Sequence, residues 1–168
     1  MTPAVALLGV VTAERLAELW LARRNTVALL ANGAREAAPG HYPLIVLLHA
    51  LWLACLWLYG WAKPINLWFF TIFIVLQALR VWTLATLGRR WTTRIIVLPG
   101  APLVRQGPYL LLSHPNYFVV VGEIAVLPLC LGLPWIAAAF SAVNGVLLAI
   151  RVQAENAALA GAHHVERA

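Results

Sequence analysis

The stretch from Tyr117 to Ile150 reads YFVVVGEIAVLPLCLGLPWIAAAFSAVNGVLLAI, and it decides the fold. It is too long for one membrane-crossing helix, which needs about 20 mainly apolar residues. Gly132-Leu133-Pro134 interrupts it, and glycine and proline at such a place mark a tight turn. The stretch therefore predicts a hairpin of two short helices whose outer ends return to the same side. Whether each arm crosses the whole bilayer is left open.

Other apolar stretches accompany this hairpin along the chain. Of the 168 residues, 62% are hydrophobic and only 11% are charged, which is outside the range of soluble domains. Three further spans are predicted, at Pro3–Leu21, Leu44–Trp61 and about Ile65–Leu87. The prediction is an all-α, polytopic integral membrane protein of five transmembrane or hairpin helices, forming one domain over residues 1–168. A signal peptide is not expected, because the first span carries Glu14, Arg15 and Glu18.

The basic residues of the loops predict the orientation. Most of them lie in two links, between the first two spans and between the third and fourth: Arg23, Arg24, Arg35, Arg89, Arg90, Arg94 and Arg105. The link between the second and third spans has only Lys63. By the positive-inside rule, the N-terminus is expected outside and the C-terminus in the cytoplasm, in a bacterial inner membrane. The net charge of +6 is thus read as headgroup anchoring, and no nucleic-acid partner is expected.

A polar, ring-rich block precedes the hairpin on the predicted cytoplasmic side. Arg105-Gln106-Gly107-Pro108-Tyr109 is followed by His114-Pro115-Asn116-Tyr117, and Arg151 and Glu155 follow the hairpin's second arm. Aromatic rings suit a sulfonium cation, a carboxylate suits an ammonium group, and an arginine suits an anionic oxygen. The chain has no GxGxxG, which excludes a Rossmann-type nucleotide site. Cys55 and Cys130 have no metal-ligand spacing, and no metal site is expected.

These motifs resemble the G-P-Y…R-H-P-x-Y and R-[IV]-x-x-E signatures of the isoprenylcysteine carboxyl methyltransferase family, over roughly Leu87 to Leu159. The resemblance implies a membrane enzyme that uses S-adenosyl-L-methionine, with a cofactor-binding half at about residues 87–160. It implies that Arg151 faces the substrate as the catalytic residue. The positions that it implies for cofactor binding are Leu103, Val104, Tyr109, His114, Pro115, Asn116, Tyr117 and Glu155, with Arg94 on a looser alignment.

The chain departs from the family pattern at three places. Ser113 stands where the family has the arginine of R-H-P, and Asn156 stands where it has the second glutamate of an E-E pair. The sequence also ends soon after Leu159, without the family's tyrosine-bearing tail. These departures weaken the substrate assignment more than the family assignment.

The acceptor implied by the resemblance is a lipophilic molecule that receives a methyl group on oxygen. Short members such as this chain resemble a bacterial branch linked with type III polyketide synthases, so an alkylpyrone or alkylresorcinol hydroxyl is weighted slightly above a prenylcysteine carboxylate. Two alternatives stay open: an NADPH-dependent membrane reductase of the sterol-reductase type, and a non-catalytic membrane scaffold whose polar loop only caps helices. Membrane lipids are expected neighbours, and the oligomeric state is open.

Charged and polar residues inside the predicted spans are expected to pair or to serve a site. Arg80 is predicted to pair with Glu14 or Glu18. Glu123 lies two turns after Asn116 on the same helical face and is predicted to border the pocket. His49 is expected to be a hydrogen-bonded core residue rather than a ligand. Asn144 and Leu148 are expected to extend the face of Arg151 back into the membrane.

Overall fold

The computed structural model describes residues 2–102 and 104–165, with side chains up to residue 158, and this described part is 77% helical. Leu103, one of the predicted cofactor contacts, lies outside the described residues. The helices are α1 (Pro3–Ala31), α2 (Tyr42–Gly60), α3 (Leu67–Leu87), α4 (Pro115–Cys130) and α5 (Pro134–Val165). Short 3-10 turns occupy Pro39–His41, Gly88–Arg90 and Gly107–Leu110.

Local chemistry explains where the helices begin. Thr2 caps α1 through its hydroxyl, which accepts a hydrogen bond from the Val5 amide at 3.3 Å. The side-chain oxygen of Asn66 caps α3 in the same way, accepting from the Trp68 and Phe69 amides. Proline stands in the first turn of the other helices, where its missing N–H costs no hydrogen bond.

Three helical stretches are long and apolar enough to cross a membrane: Pro39–Gly60, Leu67–Arg90 and Pro134–Ala158. α4 is shorter, and its 16 residues span about 24 Å, less than the hydrocarbon core of about 30 Å. The prediction of an all-α membrane protein is therefore confirmed. The number of five crossing segments remains a prediction, because α1 carries three charges in its apolar part. The orientation also remains a prediction.

The first and last helices both continue beyond the predicted apolar spans. α1 continues to Ala31, so that Arg23 and Arg24 lie on the helix and not in the following loop. α5 continues past Ile150 to Val165 and carries Arg151 and Glu155. Both extensions lack proline and are rich in alanine, which is a good helix former whether or not lipid surrounds it.

The predicted hairpin is present at α4 and α5. Gly132 adopts a φ of 65°, and the Gly132 and Leu133 amides donate to the carbonyls of Leu129 and Pro128. The two helices pack against each other, and α4 also packs along α3. The core between the helices is apolar, and its largest fully buried side chains include Leu8, Leu56, Ile124, Leu127, Leu131 and Ile136. Many large apolar side chains face outward, as lipid contact requires.

The loop between α3 and α4 folds over the helix ends at the side where the polar motifs lie. Two residues of this loop, β2 (Ile96–Val97), pair antiparallel with β1 (Arg35–Glu36), a small departure from the all-α prediction. The buried Asn25 donates to the carbonyls of Gly88 and Trp91 at 3.1 and 2.8 Å. These bonds hold the start of the loop against α1 and thereby fix one wall of the site.

Four charged side chains meet inside the helical bundle. Arg80 donates from Nε to Glu123 Oε1 at 2.7 Å and from Nη2 to Glu123 Oε2, while its Nη1 reaches Glu18 at 3.2 Å. Arg15 lies 3.0 Å from Glu18 and 3.6 Å from Glu123. The predicted partner Glu18 is thus confirmed for Arg80. Glu14 was the wrong alternative, since it accepts from Gln77 instead. Glu123 contacts Arg80 and does not border a cavity, contrary to the prediction.

We expect Glu123→Gln to lower the free energy of unfolding. Removing one member of a buried ion pair leaves an unbalanced charge, which typically costs about 3–5 kcal/mol. Because Glu18 remains beside Arg80, we expect a smaller loss of about 2 kcal/mol. Unfolding of the detergent-solubilised Glu123→Gln protein measures this loss in free energy. The double variant Arg80→Met with Glu123→Leu is unfolded in the same way for comparison. A single variant as stable as the unsubstituted protein would contradict the expectation. In the double variant, the positive charge of Arg15 and the negative charge of Glu18 remain and balance each other. The double variant should therefore lose less free energy of unfolding than the single variant.

Candidate functional site

The hydroxyl of Tyr117 is the centre of a hydrogen-bonded group at the end of the bundle where the polar motifs lie. It accepts a hydrogen bond from Arg151 Nε at 2.9 Å and donates one to Glu155 Oε2. The guanidinium of Arg151 also lies over the Tyr117 ring, 5.5 Å from its centroid. One tyrosine from α4 therefore connects both charged residues of α5.

Helix geometry brings this arginine and glutamate together. They are four residues apart on α5, so their side chains lie on one face, toward the start of α4. Arg151 is buried, and its Nη2 donates to the Thr93 carbonyl at 2.8 Å. The Thr93 hydroxyl is in turn 3.1 Å from the Tyr42 hydroxyl. Arg151 is thus held by both a side chain and the backbone, and its planar fork is fixed in place.

His114 and Tyr109 complete an aromatic surface next to the carboxylate. The His114 ring stacks on Tyr117, with centroids 5.2 Å apart and planes 18° apart, and its Nδ1 lies 3.9 Å from Glu155 Oε2. Burial, followed by the charge of Glu155, raises the pKa of Tyr109 to about 12. Tyr109 therefore keeps its proton at neutral pH and offers a hydrogen-bond donor, not a base.

The Gly-Pro-Tyr motif places Tyr109 through its backbone. Gly107 has a φ of 54°, and a Cβ there would lie 2.5 Å from the Thr86 hydroxyl and 3.0 Å from Trp82 Nε1. A side chain at that position would require the Thr86 and Trp82 side chains to shift. Pro108 is buried and opens the 3-10 turn, and its carbonyl accepts from the Leu111 and Leu112 amides. The turn thereby holds Tyr109 facing α5.

A cavity of about 510 Å³ lies between the loop and these residues. Of the residues that the sequence predicted for the site, the cavity is lined by Arg94, Val104, Tyr109, His114, Asn116, Tyr117, Arg151 and Glu155. Pro115 is fully buried at the start of α4 and does not line it, so its role is to begin the helix. Ser113 and Asn156, the two departures from the family pattern, both line this cavity.

Arg94 lines the cavity but is engaged elsewhere. Its Nη1 donates to both carboxylate oxygens of Glu36, at 3.0 and 2.9 Å, and its guanidinium lies 4.6 Å from the centroid of the Tyr42 ring. These contacts tie the α3–α4 loop to the short strand after α1. Arg94 therefore supports the rim of the cavity, and it also remains a candidate contact for the cofactor.

A second, more apolar cavity of about 270 Å³ adjoins the first one on the bundle side. The two share four lining residues, which form the wall between them: Trp91, Asn116, Tyr117 and Arg151. Aliphatic side chains from α1, α2, α4 and α5 line the second cavity, including Leu16, Leu19, Ile45, Leu53, Val120 and Leu147. Asn144 and Leu148 also line it, as predicted from the face of Arg151. We refer to the two as the polar cavity and the apolar cavity.

The sequence analysis missed several residues of the site. Trp91, Thr93 and Tyr42 hold or border Arg151, but no motif marks them. Arg15 and His49 line the far end of the apolar cavity. The signal that could have found Arg15 was present, since a charged residue inside a predicted span is by default a functional candidate. Within residues 2–102 and 104–158, no group of three or more His, Cys, Asp and Glu side chains could hold a metal ion.

One buried polar atom at the wall between the two cavities has no hydrogen-bond partner among the described residues. Asn116 Oδ1 is inaccessible to solvent and accepts no hydrogen bond from the described residues. A buried, unpaired carbonyl oxygen costs roughly 1–3 kcal/mol, and natural proteins retain such groups mainly at sites with a task. The wall between the two cavities thus contains one unpaired buried acceptor among the described residues.

Sequence comparisons with known proteins identify a family and a relative. The sequence model described as the isoprenylcysteine carboxyl methyltransferase (ICMT) family matches residues 67–161, which contain α3, α4, the loop between them and the functional part of α5. The uncharacterized protein YpbQ of Bacillus subtilis (strain 168) is 37% identical over 158 residues, which cover 91% of this chain and 94% of that protein. No solved structure matches the chain.

Proposed function

Because the chain belongs to the isoprenylcysteine carboxyl methyltransferase family, we propose that it transfers a methyl group from S-adenosylmethionine to an oxygen of a lipophilic acceptor. The family and the apolar helices make the protein an integral membrane protein of a methyltransferase class. The observation that carries the finer proposal is the meeting of a polar and an apolar cavity at one wall, formed by Trp91, Asn116, Tyr117 and Arg151.

The residues of the polar cavity suit the methyl donor. Its volume of about 510 Å³ lies within the usual range for small-molecule sites, about 300–1,000 Å³. S-adenosylmethionine supplies, when bound, an electrophilic methyl group on a positively charged sulfur. The rings of Tyr109, His114 and Tyr117 offer π faces to a cation, and the Glu155 carboxylate offers a partner for an ammonium group.

The residues at the wall suit the acceptor oxygen. Arg151 uses Nε for Tyr117 and Nη2 for Thr93, and none of the described residues accepts a hydrogen bond from its Nη1. That nitrogen is left to hold an anionic oxygen at the boundary between the two cavities. A carboxylate needs no base there, because it is already ionised, and an acidic enol or a phenolate suits the same arginine. The main work of the protein is positioning and charge stabilisation.

The apolar cavity suits the hydrocarbon part of the acceptor. Aliphatic side chains surround it, and α1, α2, α4 and α5 all contribute to its lining, so a lipid tail would lie within the bundle. The acceptor classes that fit are an alkylpyrone or alkylresorcinol hydroxyl and a prenylcysteine carboxylate. The arginines of the loop and of α1 support our proposal that this end of the bundle lies at the cytoplasmic face of a bacterial inner membrane.

The proposed function is tested by titrating the detergent-purified protein with S-adenosylhomocysteine and, separately, with NADPH. Calorimetric binding of S-adenosylhomocysteine at micromolar Kd supports the methyltransferase. Absence of that binding in a protein that unfolds cooperatively on heating would refute it. NADPH binding instead would favour a reductase, and binding of neither would favour a scaffold.

Replacement of Tyr117 by phenylalanine is expected to lower kcat/KM about 30-fold, with the ring and its stacking on His114 retained. The lost hydroxyl leaves Arg151 Nε and Glu155 without their shared partner, and hydrogen bonds to charged groups contribute about 1.5–3 kcal/mol. Transfer of label from methyl-labelled S-adenosylmethionine to a lipophilic acceptor measures the change. The exposed Tyr59→Phe is the matched control. Equal kcat/KM in the two variants would contradict the proposed role of the hydroxyl.

A further inference from the structure

Three consecutive leucines at and after the Gly-Pro-Tyr turn have exposed side chains. We refer to Leu110, Leu111 and Leu112 as the leucine segment. The side chains of Leu110 and Leu111 are 71% and 78% exposed, and Leu111 is the most exposed large apolar residue of the described part of the chain. A run of three exposed apolar residues is unfavourable in water, and it indicates a surface that meets another apolar surface.

The turn before these leucines lies beside α3 and not beyond its end. A Cβ on Gly107 would lie 3.0 Å from Trp82 Nε1 and 2.5 Å from the Thr86 hydroxyl. Helical side chains lean toward the N-terminus of their helix, so both atoms lie below the level of Leu87, the last residue of α3. Trp82 precedes Leu87 by five residues, a rise of about 7.5 Å. The turn therefore stands next to a stretch that is apolar enough to cross a membrane.

The helices on both sides of the leucine segment also expose large apolar side chains. Val81 and Trp82 are exposed near the end of α3, and Phe118 and Val121 are exposed in the first turns of α4. Tryptophan is enriched at the level of the lipid headgroups, so Trp82 marks that level beside the turn. Arg89, at the end of α3, is exposed and suits anionic headgroups. The leucine segment thus continues a surface that already fits a bilayer.

The backbone of the turn meets the requirement that a lipid environment imposes. Away from water, each backbone N–H needs a partner within the protein. The Tyr109 amide donates to the Gln106 carbonyl at 3.1 Å. The Leu111 and Leu112 amides both donate to the Pro108 carbonyl, at 3.1 and 3.0 Å. Pro108 itself has no N–H. The turn can therefore enter the edge of a bilayer with these donors already paired.

We propose that the leucine segment inserts into the bilayer around α3, at the boundary between the headgroups and the acyl chains. The loop between α3 and α4 is then a membrane-contacting element and does not lie wholly in water. Tyr109, which lines the polar cavity, directly precedes the second of the three leucines by one residue, so its turn is held between α3 and lipid. This surface goes beyond the proposed function and does not depend on it.

A nitroxide label at position 111 tests this placement in bilayer nanodiscs of phosphatidylcholine and phosphatidylglycerol. The full-length protein carries Leu111→Cys together with Cys55→Ala, and Cys130 is retained because it is fully buried. Oxygen concentrates in hydrocarbon and a charged or hydrated nickel chelate stays in water, so the ratio of their collision rates with the label reports its surroundings.

Two further labelled positions supply the references for this ratio. Val81→Cys is the lipid-facing reference on α3, and Arg89→Cys is the reference for headgroups and water. We expect oxygen collisions to exceed nickel collisions at positions 111 and 81, and to fall below them at position 89. Leu110→Cys is a second site in the leucine segment and should give the same result as Leu111→Cys, so the test does not rest on one variant.

Two outcomes overturn the inference. Nickel collisions as frequent at position 111 as at position 89 mean that the leucine segment lies in water. Few collisions with either reagent at position 111 mean that protein covers the segment, as a second copy of the chain would. Neither measurement uses a methyl donor or an acceptor, so a failure here leaves the proposed function standing, and a failure of that function leaves this surface standing.

Discussion

Replacement of Glu155 by glutamine is expected to weaken S-adenosylhomocysteine binding about 100-fold, which corresponds to about 2.7 kcal/mol. Glu155 is the carboxylate at the polar cavity, where it accepts from Tyr117 and lies 3.9 Å from His114. Loss of one partner of a desolvated charge pair typically costs about 2–5 kcal/mol, and the glutamine keeps the size and one acceptor oxygen. The ligand's ammonium group would lose its charged partner while the cavity keeps its shape.

Calorimetric titration of the variant measures this change, and Glu14→Gln is its matched control. The same chemical change at Glu14 leaves an oxygen for Gln77 and lies outside both cavities. We expect Glu14→Gln to bind within about three-fold of the unsubstituted protein, well under 1 kcal/mol. If Glu155→Gln binds S-adenosylhomocysteine as tightly as the control, Glu155 does not belong to the donor site. Its hydrogen bond with Tyr117 would then be its only role in the site.

Arg151→Lys is expected to lower kcat/KM by about 100- to 1,000-fold, the usual effect of removing one positioned donor from a developing or bound anionic oxygen. The lysine keeps the charge, but it has only one nitrogen. That nitrogen cannot reach Tyr117, the Thr93 carbonyl and the acceptor at the same time, whereas the three nitrogens of the guanidinium can. Because the donor is proposed to lie on Glu155 and the rings, S-adenosylhomocysteine affinity should change by less than about three-fold.

Steady-state kinetics with each acceptor, together with the titration, separate these effects. Arg89→Lys is the control, since Arg89 is exposed and lines neither cavity. A fall in kcat and kcat/KM together indicates a contact made in the transition state, whereas a rise in KM alone indicates uniform binding. Loss of S-adenosylhomocysteine binding in parallel with activity would place Arg151 in the donor site and refute the division of roles between Arg151 and Glu155.

The hairpin and its polar motifs were predictable because their signals are local. Gly132-Leu133-Pro134 sets the turn, and the spacing of Arg151 and Glu155 places both on one helical face whatever packs against them. The helix ends were less predictable, because continuation of α1 and α5 beyond the lipid depends on propensity and not on hydropathy.

The apolar cavity and its polar end could not be predicted, because they require the packing of distant segments. Arg15 belongs to α1 and His49 to α2, yet both line a space closed by α4 and α5. Hydropathy identifies each of these residues as unusual within its span but does not say which neighbour it meets. The pairing of Arg80 with Glu123 illustrates this, since the sequence predicted Glu14 or Glu18 of α1 as the partner and the principal partner is on α4.

The position of the Tyr117 hydroxyl also has a thermodynamic consequence. One oxygen atom contacts the residue proposed to hold the donor and the residue proposed to hold the acceptor, and the tyrosine stands in the wall of both cavities. We therefore expect a ligand on either side to alter the same two hydrogen bonds. By thermodynamic linkage, if the first ligand changes the affinity of the protein for the second by some factor, the second ligand changes the affinity for the first by the same factor. The two substrates of this enzyme are thus expected to bind as a cooperative pair, with one phenol as the element that couples them.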